Sequence, residues 1–272
     1  MKRMAGLILT TFFLGFTLFW LAGVLLKNSL IFHPPAPGYE LAPPYQTTRM
    51  EDETRIVYRV WENPRADRVM IYSHGNAEDL GNLGWAMPFY RDLGYTVVAY
   101  DYPGYGHSGG RPTTENTTEA LIAVIHRISE DRNLSPEQIT LFGKSIGGGP
   151  SVAAAARIPV GGLMLESTFT SIFQVPLPSL RLPLDSFLNE QLIQQIDCPV
   201  LIIHGIRDTV IAHSHGERLY QAAQEPKALL SLEDAGHNDV LFTTSDLYQP
   251  FIRDFPRSLH PEWQQKLRRT GD

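Results

Sequence analysis

Gly143-Lys144-Ser145-Ile146-Gly147 follows the apolar run Ile139-Thr140-Leu141-Phe142 and precedes a helix-forming segment, Ser151 to Ala156. This is G-x-S-x-G in strand–turn–helix context, an arrangement that can make a serine hydroxyl a nucleophile. The chain must turn so sharply that the serine takes a strained backbone conformation. Only glycine two residues to either side leaves room for that turn. The turn is expected to expose the Ser145 hydroxyl at the top of a sheet. It also sets the Ile146 N–H at a helix N-terminus, whose dipole favours negative charge.

A serine nucleophile needs a base, and the base needs an orienter. Of nine histidines, His237 in Asp234-Ala235-Gly236-His237-Asn238 lies just after the last apolar run, Leu229-Leu230-Ser231-Leu232. Asp208, in His204-Gly205-Ile206-Arg207-Asp208-Thr209-Val210, lies just after Val200-Leu201-Ile202-Ile203. The separations along Ser145, Asp208 and His237 are 63 and 29 residues, each leaving room for a further strand–helix unit. Asp234 and Asp239 flank His237 and are rival orienters. His74 and His204 each precede a glycine at a strand end and read as loop-shaping donors. His213 and His215 point apart if extended and lie on different faces of a helix, which disfavours a metal site. Asp101 ends a strand and is expected to tie down the glycine loop after it. Asn116-Thr117-Thr118 is a glycosylation sequon, meaningful only in a eukaryotic secretory setting.

Two other motifs fail on spacing. Gly143-Lys144-Ser145 matches the end of a phosphate-binding loop, but Gln138 stands where that motif needs its first glycine. Gly104-Tyr105-Gly106-His107-Ser108-Gly109 matches a dinucleotide fingerprint, yet Gly110-Arg111-Pro112 separates it from the following helix. Its glycines therefore do not open onto a helix N-terminus, and it reads as a turn near the pocket.

The elements that must hold these residues follow from the apolar pattern. Val69–Tyr72, Thr96–Tyr100, Ile139–Phe142, Leu163–Leu165, Val200–Ile203 and Leu229–Leu232 are short continuous runs, as expected of parallel strands buried on both faces. Met50 to Trp61 alternates in part and reads as one or two antiparallel edge strands. Leu121, Val124, Ile125 and Ile128 recur at helical spacing after a Thr113/Thr114 cap, and Glu217 to Gln224 is a further helix. Strand–helix alternation predicts a mostly parallel sheet with helices on both faces. Ligands in such sheets bind at the carboxyl ends of the strands.

The N-terminus has a different character. Gly6 to Leu26 is 21 residues without a charge. As a helix it would span about 31 Å, close to the hydrocarbon thickness of a bilayer. The run exceeds a signal-peptide core, and Phe16, Phe19 and Trp20 crowd the place of cleavage, so an uncleaved anchor over 1–27 is expected, with secretion after cleavage the alternative. Lys2 and Arg3 precede the span and Lys27 alone follows it before Arg49, which predicts a cytoplasmic N-terminus and an extracytoplasmic catalytic domain. Prolines at 34, 35, 37, 43 and 44 mark 28–46 as a linker, leaving 47–272 as the catalytic domain.

The chain has 272 residues, a formal net charge of −6 and one cysteine. The single cysteine excludes an internal disulfide or a cysteine-based zinc site. The acidic balance argues against nucleic-acid binding. A 43% hydrophobic, 19% charged composition excludes a disordered chain.

These motifs together resemble the α/β-hydrolase superfamily, in particular its membrane-associated branch that includes protein depalmitoylases and their bacterial relatives. The matching text is Ser73–Gly81, Asp101–Ser108, Gly143–Gly149, Leu165–Phe169, His204-Gly205-x-x-Asp208 and Gly236-His237-Asn238. The order Ser, Asp, His is the one expected of that superfamily. The resemblance implies Ser145 as nucleophile, Asp208 as acid and His237 as base. It implies the backbone N–H groups of Asn76 and Ile146 as oxyanion donors. The cysteines that anchor some depalmitoylases by N-terminal acylation are absent, and the apolar span takes their place. The expected activity is hydrolysis of esters or thioesters through an acyl-enzyme, with no metal or organic cofactor. Dehalogenase chemistry would need a carboxylate at 145. A peptidase of the same fold and a non-catalytic binding module are the alternatives. The insert Phe173 to Leu192 (Val175, Leu177, Leu180, Leu182, Leu184, Phe187) is short and apolar, suited to a hydrophobic acyl group or to packing on the sheet edge.

Overall fold

The computed structural model describes residues 15, 23, 26–176, 185–243 and 245–259, with the backbone alone for 243 and 245–247. The chain divides into two units, Met1–His33 and Pro34–Asp272. In the first unit, residues 26–31 are helical. The expected membrane span, Gly6 to Leu26, lies almost wholly outside the described residues. Among the described residues no helix is long and apolar enough to cross a membrane.

The second unit is built on one sheet. Its strands are β1 (Tyr45–Arg49), β2 (Arg55–Trp61), β3 (Val69–Ser73), β4 (Thr96–Tyr100), β5 (Ile139–Lys144), β6 (Gly162–Glu166), β7 (Val200–Gly205) and β8 (Lys227–Leu232). They lie in the order β1-β2-β4-β3-β5-β6-β7-β8. β2 pairs antiparallel with β1 and β4, and every pair from β4 through β3 to β8 is parallel. β3 to β7 are buried along their whole length apart from half-exposed Lys144, which is why they read as unbroken apolar runs. Edge strand β8 instead alternates between buried and half-buried positions. β1 begins at Tyr45, inside the stretch read as linker.

The helices are α1 (Met87–Asp92), α2 (Thr114–Arg132), α3 (Gly148–Ala155), α4 (Asn189–Leu192), α5 (Ser214–Ala222), α6 (Val240–Thr243) and α7 (Ser245–Arg253). Met87 and Tyr90 of α1 and Tyr248, Phe251 and Ile252 of α7 share one cluster with Met70, Tyr72, Phe142, Met164, Leu201 and Ile203. The pleat turns Val69, Ile71 and Leu141 to the opposite face, where α3 packs on β5, β6 and β3, and on α2. Thr113 caps α2 as expected. Its hydroxyl accepts the Asn116 N–H at 3.0 Å, and its own N–H reaches Asn116 Oδ1 at 2.7 Å. Asn116 Nδ2 donates to the Arg111 carbonyl, so the sequon amide is occupied as part of a helix cap.

Candidate active site

The turn after β5 has the strain its sequence requires. Ser145 has φ +53°, in the left-handed region that non-glycine residues rarely enter. A Cβ on Gly143 would lie 2.6 Å from the Gly147 carbonyl oxygen, and one on Gly147 would lie 2.1 Å from the Ser73 carbonyl oxygen. Both contacts are with backbone, which cannot retreat. Ser145 to Gly147 form a 3-10 turn, and α3 itself begins at Gly148. Thr168, just past β6, donates its hydroxyl to the Ser145 carbonyl at 2.7 Å and braces the turn from the neighbouring strand.

Loops from the carboxyl ends of β5, β7 and β8 bring three of the expected residues together. Ser145 Oγ is 3.0 Å from His237 Nε2. His237 Nδ1 is 2.8 Å from Asp208 Oδ2. Asp208 Oδ1 accepts the N–H groups of Val210 at 2.9 Å and Ile211 at 2.8 Å. Burial alone would raise the Asp208 pKa. Hydrogen bonds from His204, His237 and the Ile211 N–H outweigh it and hold the carboxyl well below the usual carboxylate range. An ionised carboxylate only accepts, so His237 Nδ1 carries the proton and Nε2 faces the serine hydroxyl.

The rival residues have other partners. Asp234 pairs with Arg207 on the surface at 2.6 Å, and Asp239 accepts the Gly236 N–H at 2.6 Å. His213 Nε2 meets Ser231 Oγ, and His215 Nδ1 meets Thr170 Oγ1, so the two rings face separate surroundings. The Asp101 carboxylate accepts the Tyr39 hydroxyl and the Leu80 N–H, which ties down the loop after β3, and its backbone carbonyl accepts the Ser108 hydroxyl of the glycine loop. Gly106, at φ +48°, would put a Cβ 2.0 Å from Asp101 Oδ2.

Register sets the expected oxyanion donors on neighbouring loops. Ser73 of β3 lies opposite Gly143 of β5, so the loop carrying Asn76 runs beside the turn carrying Ile146. Glu78 ties the two together. It accepts the Gly75 N–H at 2.8 Å and the Lys144 ammonium at 2.8 Å. Burial would push the Glu78 pKa up, but Lys144 and the Gly75 N–H hold it below its ordinary value. The Tyr105 hydroxyl donates to Asn76 Oδ1 at 2.6 Å, giving the glycine loop after β4 a specific task. Beneath the site, Glu166 is buried and its pKa is raised by burial, with the Tyr248 hydroxyl donating to Oε2 at 2.5 Å. Sequence reading missed the pairing of Glu78 with Lys144, 66 residues apart, because only strand order makes them neighbours.

Of the apolar insert, residues 177–184 lie outside the described residues. Its flanks are held by Asp185, which accepts from the Ser171 hydroxyl and the Phe173 N–H. Buried Phe187 fills the space that a side chain on Gly149 would need.

Comparison with known proteins agrees with this architecture. Residues 68–188 match the alpha/beta hydrolase fold family. Human alpha/beta hydrolase domain-containing protein 17B is 40% identical over 184 residues, 65% of this chain and 63% of that protein. Alpha/beta hydrolase domain-containing protein 17C of Xenopus laevis is 36% identical over 196 residues, 70% of this chain and 60% of that protein. The chain thus spans less than two thirds of the length of these curated relatives. An esterase of Pyrococcus furiosus superposes with a TM-score of 0.68 at 18% identity, covering 83% of this chain and 98% of that one. An esterase of Rhodococcus sp. gives 0.63 at 20% identity, with 79% and 99% covered.

Proposed function

From the premise that the chain belongs to the α/β-hydrolase superfamily, we propose that it is a membrane-anchored serine hydrolase cleaving carboxylic ester or thioester bonds of hydrophobic acyl substrates. The observation that carries this reading is the hydrogen-bonded series from Ser145 Oγ to His237 Nε2 at 3.0 Å and from His237 Nδ1 to Asp208 Oδ2 at 2.8 Å. Ser145 attacks the acyl carbon while His237 takes its proton. The tetrahedral oxyanion is held by the N–H groups of Asn76 and Ile146, and each such donor is typically worth about 3–4 kcal/mol. His237 then protonates the departing alcohol or thiol, leaving an acyl-serine. Water, deprotonated by His237, attacks the acyl-serine and releases the acid. Asp208 keeps the imidazole in the required tautomer throughout.

The surroundings favour an apolar acyl group. Trp85 and Phe242, both exposed, stack at 5.0 Å between ring centroids. Exposed Ile206 and Val210 flank Asp208 on its own loop. All four lie on segments that follow the carboxyl ends of β3, β7 and β8. The anchor reading rests on the 21 uncharged residues Gly6 to Leu26, with Lys2 and Arg3 ahead of them favouring an extracytoplasmic catalytic domain.

The test is covalent labelling by a fluorophosphonate together with p-nitrophenyl ester turnover. Ser145→Ala should abolish labelling and lower turnover by about 10³-fold or more while the protein stays folded. Full activity and labelling in that variant would overturn the reading.

A further inference from the structure

His204, at the end of β7, is completely buried, and no step of the acyl transfer uses it. Its Nε2 lies 2.8 Å from the Ile211 carbonyl. A carbonyl only accepts, so Nε2 carries the proton. The same Nε2 lies 3.4 Å from Asp208 Oδ2, the oxygen that receives His237 Nδ1–H. His204 Nδ1 is buried without a hydrogen-bond partner among the described residues.

A ring kept only to fill space would not have this arrangement. A buried, unpaired ring nitrogen is destabilising, a cost that an aliphatic or phenyl side chain would avoid. Room has also been made for the imidazole. Gly216 on α5 would place a Cβ 2.8 Å from His204 Nδ1 and 3.0 Å from its Cβ. The groups around it are Asp208, His213, whose ring stands at 88° to it with centroids 5.7 Å apart, and His215 on α5. Of these, Asp208 is the one that Nε2–H faces.

We propose that His204 is a positioning residue for Asp208, closing the 208–211 turn through the Ile211 carbonyl and lending Nε2–H to the carboxylate oxygen shared with His237. The proposal rests on the reading of Asp208 as the acid of a catalytic triad. The turn is then held from both sides. Ile211 gives its N–H to Asp208 Oδ1 and takes the His204 proton on its carbonyl. The carboxylate cannot swing away from His237 without breaking that ring of contacts. Loss of His204 frees the carboxylate and leaves its charge less dispersed. A carboxylate that leaves His237 Nδ1 no longer fixes the imidazole tautomer, so kcat falls while ground-state binding is kept.

Glutamine at 204 can present an amide N–H near the place of Nε2, whereas asparagine is too short and presents its amide near Nδ1. Full-length protein, assayed on a p-nitrophenyl ester, should lose about 10- to 30-fold in kcat for His204→Asn, the worth of one hydrogen bond to a charged group, with KM within about twofold. His204→Gln should stay within about threefold of wild type. In an Asp208→Asn background the same asparagine change should cost less than about twofold more, because its route of action is already gone. Three results overturn the proposal: wild-type kcat in His204→Asn, losses that multiply with those of Asp208→Asn, or parallel falls of activity and denaturation midpoint in both 204 variants. Near-normal activity of Asp208→Asn alone would remove the triad reading itself, and this inference with it.

Discussion

At Ser145 the backbone is held at φ +53° by its neighbours, a conformation that costs on the order of 1–3 kcal/mol and persists only where surrounding structure fixes it. Gly147 is the residue that permits it, since any side chain there would strike the Ser73 backbone at 2.1 Å. Gly147→Ala should therefore destabilise the fold by about 3 kcal/mol or more, read as a fall in denaturation midpoint, as β3 and the elbow are forced apart. The same local reasoning separates the three candidate acids. Asp208→Asn should lose several orders of magnitude in kcat/KM, because an amide at His237 Nδ1 can favour the wrong imidazole tautomer. Asp234→Asn breaks only an exposed pair with Arg207, and an asparagine at 239 still offers an oxygen to the Gly236 N–H. Each should stay within about threefold of wild type. A crippled Asp234→Asn or Asp239→Asn beside a near-normal Asp208→Asn would reassign the acid. Ser145, Asp208 and His237 were legible because each sits in a short motif at a strand end. Thr168, Glu78 and Lys144 were not, because their contacts cross between strands and have no fixed spacing along the chain.

Among the elements, the parallel strands were the most legible, since burial on both faces writes itself as an apolar run. Their order was not, because β4 lies between β2 and β3 by the path of the crossovers rather than by any residue pattern. α7 was missed although Tyr248, Phe251 and Ile252 recur at helical spacing, because Pro250 stands among them and argues for a break. α5 carries a further consequence of packing. His215 is buried against Thr170, and its pKa is pushed down to about 4, first by burial and then by the Arg218 guanidinium. The unfolded chain would bind this proton near the ordinary histidine value of about 6.5, so the folded state binds it less readily. Stability from His215 is then fully present above about pH 6.5 and is lost as pH falls toward 4. At pH 5 the loss amounts to about 2 kcal/mol. Urea unfolding of wild type and His215→Asn at pH 7.5 and pH 5 should show a smaller pH decrement in the variant, whose amide does not titrate. Equal decrements would place the acid sensitivity elsewhere.

On the scale of the whole chain, Pro34–Asp272 forms one compact unit that contains all five expected site residues, and Met1–His33 forms another. The first unit contains the uncharged apolar run, and the second contains the proline-rich stretch and then the alternating strands and helices. Composition sets the expected boundaries at 27/28 and 46/47, whereas the two units divide after His33, because composition marks the ends of the apolar run and of the proline-rich stretch and not where contacts separate. A span of about 20 apolar residues satisfies its backbone internally in a bilayer, whereas a parallel sheet needs both faces covered by its own helices. The proposed anchor and the catalytic unit should therefore be separable in experiment. Full-length protein should remain with membranes through alkaline carbonate extraction. A chain starting at Pro34 should appear in the soluble fraction and still hydrolyse p-nitrophenyl esters, with kcat within about threefold of the full-length value, since each proposed catalytic group lies in the second unit. If the full-length chain is instead recovered as a soluble species cleaved near Leu26, the apolar run is a signal peptide. If the shorter chain stays with the membrane, the attachment resides in the catalytic unit rather than in Gly6 to Leu26.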